Sequence, residues 1–280
     1  MSLNLIKDEN VFKPVQSTHD ARILSLLQCL ERNLLSSPDE QQLLYLENDT
    51  TLTCGDRRYP IHSGNPVLYP ARVMDEWQNG NLKLDYYCDS LLQYVLLSQI
   101  KQQGDAAIRA PQGSKSVEKH EYRLKKFCRE FTGLVLDVGC DSPTHSIQLL
   151  PSECEYVGID PYLGEGGFRI VGLGEVLPFT GSVFDHVLFN TSLDHMLCYH
   201  TAIEEAARVL KPGGLVTIAT YAWINNATLL TDHVHFHHFR EYEIAGSLRP
   251  KFDIVDLIRF ECPKHDKHRY GLYVSASKRC

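Results

Sequence analysis

Two acidic residues, each closing an apolar run and standing about twenty residues apart, are the side chains in this chain best spaced to do chemistry. The string L-V-L-D-V-G-C sets Asp137 and Gly139 at the end of one run, and Y-V-G-I-D sets Asp160 at the end of the next. An apolar run ending in acid and glycine, a helix-like stretch, and a second run ending in an acid is the layout of a nucleotide-binding strand–helix–strand unit. The glycine lets backbone approach the ligand, and the second acid accepts hydrogen bonds from ribose hydroxyls. Further along, F-N-T-S-L-D-H brings Asn190, Asp194 and His195 just past another apolar run, at the edge where open α/β sheets bind ligands. His195 can orient or deprotonate an acceptor, because imidazole exchanges protons near neutral pH. Packing beside the ligand and capping the loop is an equally good account of it, and Asp194 would serve as a local helix cap.

A second histidine-rich segment, D-H-V-H-F-H-H-F over 232–239, admits three readings. Its histidines and aspartate are metal-ligand types, and alternation on a strand would put His233, His235 and His237 on one face. They could instead wall an acceptor pocket, or lie in a plain loop. No metal-ligating set is assigned from the sequence.

These residues need a sheet to position them. Apolar runs at 135–138, 156–159, 169–171, 183–190, 215–220, 252–260 and 270–276 alternate with helix-like stretches, which predicts a parallel sheet with helices on both faces. The last two runs would form a closing hairpin with one antiparallel strand. A helix over 118–131 should lead into the first strand. Upstream, Ile23, Leu26, Leu27, Leu30 and Leu34 fall at helical spacing over 19–35, and Ser36-Ser37-Pro38 stops the run. Strand-like pieces broken by turn residues follow over 44–68. The 73–108 stretch has a helical pattern whose aromatics, Trp77, Tyr86, Tyr87 and Tyr94, suit either a core stripe or a cap over a small-molecule pocket. With a linker near 109–115, the chain divides into an N-terminal region, 1–110, and a second domain, 115–280.

Size and charge narrow the function. A chain of 280 residues, 43% hydrophobic, can bury one α/β core and a smaller module. A net charge of −7 counts against broad nucleic-acid binding. No apolar run approaches the roughly 18 residues a membrane span needs, and no basic segment followed by an apolar one opens the chain, so a cytoplasmic protein without a membrane span is expected. Nine cysteines are scattered with no C-x-x-C pair, as in a reduced compartment.

Taken with G-E-V-L-P-F (174–179), F-D-H-V-L-F-N-T-S-L-D-H (184–195) and E-A-A-R-V-L-K-P-G-G-L (205–215), the chain resembles the class I S-adenosylmethionine-dependent methyltransferases, closest to the ubiquinone-biosynthesis-type branch. The resemblance runs over roughly 115–280. It implies an α/β fold: a Rossmann-like seven-stranded methyltransferase sheet with helices on both faces, here with a small N-terminal α+β module. It implies S-adenosylmethionine as cofactor, held by Asp137, Gly139 and Cys140 at the turn, by Asp160 on the ribose hydroxyls, and by Pro161 along the adenine. Gly174 and Glu175 would border the adenine and Asn190 would complete the set, while His195, placed by its position and imidazole chemistry, is the candidate catalytic residue. The chain departs from the family pattern at Asp141 and Pro143, where further glycines are common, and at Leu173, where many relatives have an aspartate for the adenine amino group.

The stretch L-T-C-G-D-R-R-Y-P-I-H-S-G-N-P-V-L-Y-P resembles the second half of the small zinc ribbon related to the methyltransferase-activator protein, and L-L-Q-C-L-E-R-N-L its first knuckle. A ribbon needs four thiolates on zinc, and only Cys29 and Cys54 remain, so the resemblance implies a degenerate module without metal. An ordinary β-hairpin is the alternative. The function implied is methyl transfer to a small-molecule, glycan or lipid-linked acceptor. An RNA or ribosome-associated methyltransferase and a non-catalytic binding protein on the same fold are the alternatives. Nothing in the sequence sets the oligomeric state.

Overall fold

The computed structural model describes residues 20–71, 73–74, 115–161, 167–224, 235–261 and 268–279. Most of the predicted 73–108 helical run with its aromatics, residues 109–114 of the predicted linker and His233 lie outside the described residues.

The N-terminal region begins with a short helix, α1 (Leu26–Glu31), started by Ser25 and Gln28, which hydrogen-bond each other's backbone as a reciprocal cap. It ends at Asn33 (φ 53°), with Leu34 N–H donating to the Cys29 carbonyl and Asn33 N–H to that of Leu30. A residue in the left-handed region with these two bonds is a common helix stop. Four antiparallel strands follow in sequential order: β1 (Tyr45–Asn48), β2 (Thr51–Cys54), β3 (Arg57–His62) and β4 (Asn65–Pro66).

The predicted 19–35 helix is much shorter than its periodicity suggests. Tyr156 N–H donates to the Arg22 carbonyl and Leu24 N–H to the Tyr156 carbonyl, so Ile23 pairs like a strand against the main sheet. At the other end Leu35 bridges Phe179. Sheet docking wins over helix propensity there because it buries Ile23, Leu24 and Leu35, each contributing about 1.5 to 3 kcal/mol.

The main sheet contains β5 (Gly133–Val138), β6 (Cys154–Asp160), β7 (Ile170–Val171), β8 (Phe184–Asn190), β9 (Leu210–Trp223), β10 (Phe252–Glu261) and β11 (Arg269–Lys278), in the order β10-β11-β9-β8-β5-β6-β7. Strands β7, β6, β5, β8 and β9 are parallel, while β11 runs antiparallel to both neighbours, as the predicted closing hairpin requires. Helix α2 (Lys115–Phe127) covers one face against Val135, Tyr156, Leu188 and Tyr273. The short α3 (Pro143–Ser146) lies on that face too. Helices α4 (Tyr199–Val209) and α5 (Glu241–Leu248) cover the other, against Leu136, Val138, Ile159, Val187 and Phe189. Burial on both faces is why these strands read as continuous apolar runs.

The two predicted regions share a core. Leu35, Val67 and Leu68 pack in the same buried cluster as Val171, Leu177 and Phe179, and Val67 bridges Val171 on the edge strand β7. The N-terminal module thus covers the open edge of the sheet beside Asp160.

Candidate cofactor and acceptor site

Asp137 sits in β5 directly opposite Gly158 of β6, fully buried. Tyr156 O–H donates to its Oδ2 at 2.9 Å, while its Oδ1 has no hydrogen-bond partner among the described residues. Burial pushes this carboxyl up to about 6, against the hydroxyls of Tyr156 and Ser146, which pull it down. The turn after β5 is anchored to β6 by Gly139 N–H (2.8 Å) and Cys140 N–H (3.2 Å), both donating to the Ile159 carbonyl. Gly139 has φ +81°, and a Cβ there would lie 2.3 Å from the Ser192 Cβ. This glycine is therefore required by the loop after β8 as much as by any ligand. The Ser192 hydroxyl completes the contact by donating to the Val138 carbonyl.

Asp160 closes β6 at 4% exposure, and its Oδ2 accepts the Asp141 N–H at 3.0 Å. Asp141 itself holds φ +46°, a conformation most side chains avoid. Thr191, after β8, holds φ +53°. Two strained non-glycine residues at one sheet edge are what functional sites tend to retain. The Pro161 carbonyl accepts the Tyr69 hydroxyl at 2.8 Å, so the N-terminal module fixes the end of β6.

Gly174 and Glu175 are tied to the loop that carries His195. A Cβ on Gly174 would sit 2.7 Å from Met196 Cε and 2.9 Å from Val138 Cγ1. Glu175 Oε1 accepts the N–H groups of Leu197 (2.9 Å) and Cys198 (3.3 Å), at the start of α4. Burial raises its carboxyl, with these backbone bonds opposing. From α4, Glu205 accepts Leu177 N–H and Arg208 donates to the carbonyls of Leu177 and Phe179. The G-E-V-L-P-F string is in this way bolted to the helix after the loop.

Asn190 turns to the α2 side. Its Oδ1 lies 2.8 Å from His120 Nε2, and His120 Nδ1 lies 2.6 Å from the Tyr273 hydroxyl. One tautomer satisfies both bonds: Nε2–H donates to Asn190, and Nδ1 accepts from Tyr273. Burial lowers the His120 pKa, with the Asn190 bond opposing, which keeps the imidazole neutral as that arrangement needs. Sequence reasoning missed His120 and Tyr273. The available signal was His120 at four and eight residues before Leu124 and Cys128, a polar residue on a buried helical stripe.

His195 ends a single tight helical turn, Leu193–His195. The Asp194 carbonyl accepts Phe236 N–H (2.9 Å) and His237 N–H (3.2 Å), which brings the histidine segment across the loop. The expected one-face alternation does not occur, because residues 235–240 form no strand. His235 lies beside His195, with ring centroids 4.8 Å apart. His237 Nε2 faces the carbonyls of Met196 and Leu197. His238 stacks on Trp223 at 4.3 Å.

Comparison with known proteins bears on the fold that carries these residues. Residues 136–218, from β5 into β9, match the family described as "Methyltransferase domain". Over 95 residues the chain is 32% identical to the demethylmenaquinone methyltransferase of Corynebacterium efficiens, a match covering 31% of this chain and 41% of that protein. An equally similar relative of the same name occurs in Corynebacterium glutamicum. The chain thus spans about two fifths of the length of the curated relatives it matches. Among solved structures, the 1,6-didemethyltoxoflavin-N1-methyltransferase of Burkholderia thailandensis, with bound 1,6-didemethyltoxoflavin and S-adenosylhomocysteine, superposes with a TM-score of 0.54. It is 17% identical and covers 85% of this chain and 99% of its own. The 4+2 cyclase SpnF superposes with a TM-score of 0.51 at 15% identity, covering 61% of this chain and 85% of its own. The fold is the Rossmann-like fold of these methyltransferase structures, and the family match lies within its sheet at residues 136–218.

Proposed function

We propose that this chain transfers a methyl group from S-adenosylmethionine to a small-molecule acceptor. The observation that carries the reading is the methyltransferase-domain match over 136–218, a span that holds Asp137, Gly139, Cys140, Asp160, Pro161, Gly174, Glu175, Asn190 and His195. The buried, unpartnered Asp137 Oδ1 and the inward carboxylate of Asp160 are the kind of polar groups such a ligand would use.

Bound S-adenosylmethionine supplies a sulfonium-activated methyl group, and the protein's task is positioning. In this reading Asp160, oriented by the Asp141 N–H, accepts the ribose hydroxyls. Pro161, held by Tyr69, lies along the adenine, and Gly174 with Glu175 borders it. Asp137 and the Gly139–Cys140 backbone face the methionine part, and Asn190 closes that side through His120. His195 takes the proton that the acceptor's nucleophile loses. The relatives are named for demethylmenaquinone and for didemethyltoxoflavin, which supports an aromatic or quinone-like small-molecule acceptor over a glycan. Among the described residues no helix is long and apolar enough to cross a membrane.

The N-terminal module belongs to the same reading as a degenerate ribbon without structural zinc. Cys29 and Cys54 are both buried, and burial pushes the Cys29 thiol up to about 12, away from the thiolate that zinc takes. Cys29→Ser with Cys54→Ser should leave the metal content of the protein unchanged.

A second reading, a methyltransferase fold without methyl transfer, draws support from Asp141 and from Gly139 packing on Ser192. Titration calorimetry with S-adenosylmethionine and S-adenosylhomocysteine separates the two. Saturable binding of either supports the first reading, and no heat at high micromolar protein retires it.

A further inference from the structure

We propose that Asp194, His195 and His235 form a binding site for a divalent first-row transition-metal ion on the acceptor side of the cleft. One ligand atom from each of these residues lies within 4.8 Å of the others, a grouping of three that combines two sequence segments about forty residues apart. His235 Nε2 is 3.8 Å from Asp194 Oδ2. Ligands at bond lengths of about 2.0 to 2.2 Å stand roughly 3.0 to 3.5 Å from each other, so closing on an ion asks for side-chain movement of about an ångström.

A second observation points to the same place. The Asp194 side chain is nine-tenths buried, and its Oδ1 has no hydrogen-bond partner among the described residues. A buried carboxylate oxygen in that state is costly, on the order of 1 to 3 kcal/mol or more. The His235 contact at 3.8 Å is to Oδ2 and leaves Oδ1 unmet. A cation between the three side chains would meet it.

The backbone is arranged to hold them there. The tight turn at Leu193–His195 is fixed from one side by Glu175, which receives the Leu197 and Cys198 N–H groups. From the other side the Asp194 carbonyl receives the Phe236 and His237 N–H groups. His237 faces the carbonyls of Met196 and Leu197 and His238 stacks on Trp223, while His235 is the histidine of its segment that stands beside the Asp194 carboxylate.

Two imidazoles and one carboxylate favour zinc, cobalt, iron or nickel over magnesium or calcium, which prefer all-oxygen sets. Three protein ligands leave coordination positions open, where an acceptor oxygen or nitrogen could bind. That use of the ion rests on the methyl-transfer reading, and with the ion bound it would replace His195 as the group that activates the acceptor, because a coordinated imidazole nitrogen accepts no proton. The binding of the ion does not rest on that reading.

The test is a Co²⁺ titration of the full chain, free of any affinity tag and stripped with chelator, followed by visible absorption, with Zn²⁺ displacement and millimolar Mg²⁺ as control. One Co²⁺ per chain is expected, with a dissociation constant at or below about 10 µM, displaced by Zn²⁺ and indifferent to Mg²⁺. Asp194→Asn and His235→Ala should each weaken it about 100-fold, while His62→Gln should not. No saturable absorption, or variants titrating like the parent, overturns the site. If a variant fails to fold, the parent alone decides: bound Zn²⁺ should protect His195 and His235 from diethyl pyrocarbonate, and unchanged labelling overturns the proposal. Calorimetry with S-adenosylhomocysteine on the same metal-free sample keeps the two readings apart. Cobalt binding without cofactor binding retires only methyl transfer, and the reverse retires only the metal.

Discussion

On the α2 side of the carboxyl end of β8, His120 hydrogen-bonds through one ring nitrogen to Asn190 and through the other to Tyr273. On the α4 side, a few residues further along, His195 and His235 converge on a buried Asp194 whose Oδ1 has no such bond among the described residues. Both groups are histidines near the same strand end. The first has both imidazole nitrogens matched to a donor or an acceptor and can be understood as structure. The second carries a buried carboxylate with one oxygen lacking a hydrogen-bond partner among the described residues, a cost that calls for an explanation. Stability should therefore respond on the first side, and chemistry on the second.

The largest effect expected is on the closed side. His120→Ala removes the partner of both Asn190 and Tyr273 in a buried setting, and should cost about 3 kcal/mol of unfolding free energy by urea denaturation. A loss under about 1 kcal/mol would mean that water or a neighbour replaces the ring, and the contrast between the sides would fail.

On the open side, His195→Ala should lower turnover about 100-fold, once an acceptor is found, with unfolding free energy nearly unchanged. Cofactor affinity separates the roles. An intact dissociation constant supports the proton-accepting role, while a parallel fall in binding and rate marks a residue that only packs beside the cofactor.

Asp160→Ala tests the proposed cofactor contact, which belongs to neither side. It should weaken S-adenosylhomocysteine by about 1 to 3 kcal/mol in calorimetry, the range for removing a charged acceptor. Unchanged affinity would take Asp160 out of the site.

Much of this architecture is legible in the sequence for a physical reason. Strands buried on both faces appear as uninterrupted apolar runs, so β5, β6, β8, β9 and the closing hairpin fall within a few residues of their predicted limits. The acids at the ends of β5 and β6 are legible with them. What escapes is decided by partners distant in sequence. Ile23 obeys a helical period yet pairs with Tyr156. His235 leaves the company of His237 because residues 235–240 hang from the Asp194 carbonyl and the end of β9, with no strand of their own. No local pattern shows that Glu175 would hold Leu197 and Cys198, or that Gly139 would be needed by Ser192.

The smallest effect expected at neutral pH concerns Asp137, which shares with Asp194 an unpartnered oxygen but lies under the turn after β5. Its carboxyl is raised by burial from an ordinary 3.8 to about 6 in the folded protein. A raised carboxyl favours the protonated folded state, so its contribution to stability is fully present below about pH 4 and is lost as pH rises through about 6. Asp137→Asn keeps an acceptor for the Tyr156 hydroxyl and cannot ionise. The swing that a shift from 3.8 to about 6 carries is about 3 kcal/mol, so the variant should lie about 2 kcal/mol below the parent at pH 4 and about 1 kcal/mol above it past pH 6. The gain is held down because the new amide nitrogen replaces an oxygen that already lacked a partner. Thermal unfolding from pH 4 to 8, without cofactor, measures the difference. A flat difference would mean that Asp137 does not change protonation on folding. The reverse slope would mean that the folded protein prefers the charged form, and Asp137 would then belong with the compensated groups on the His120 side.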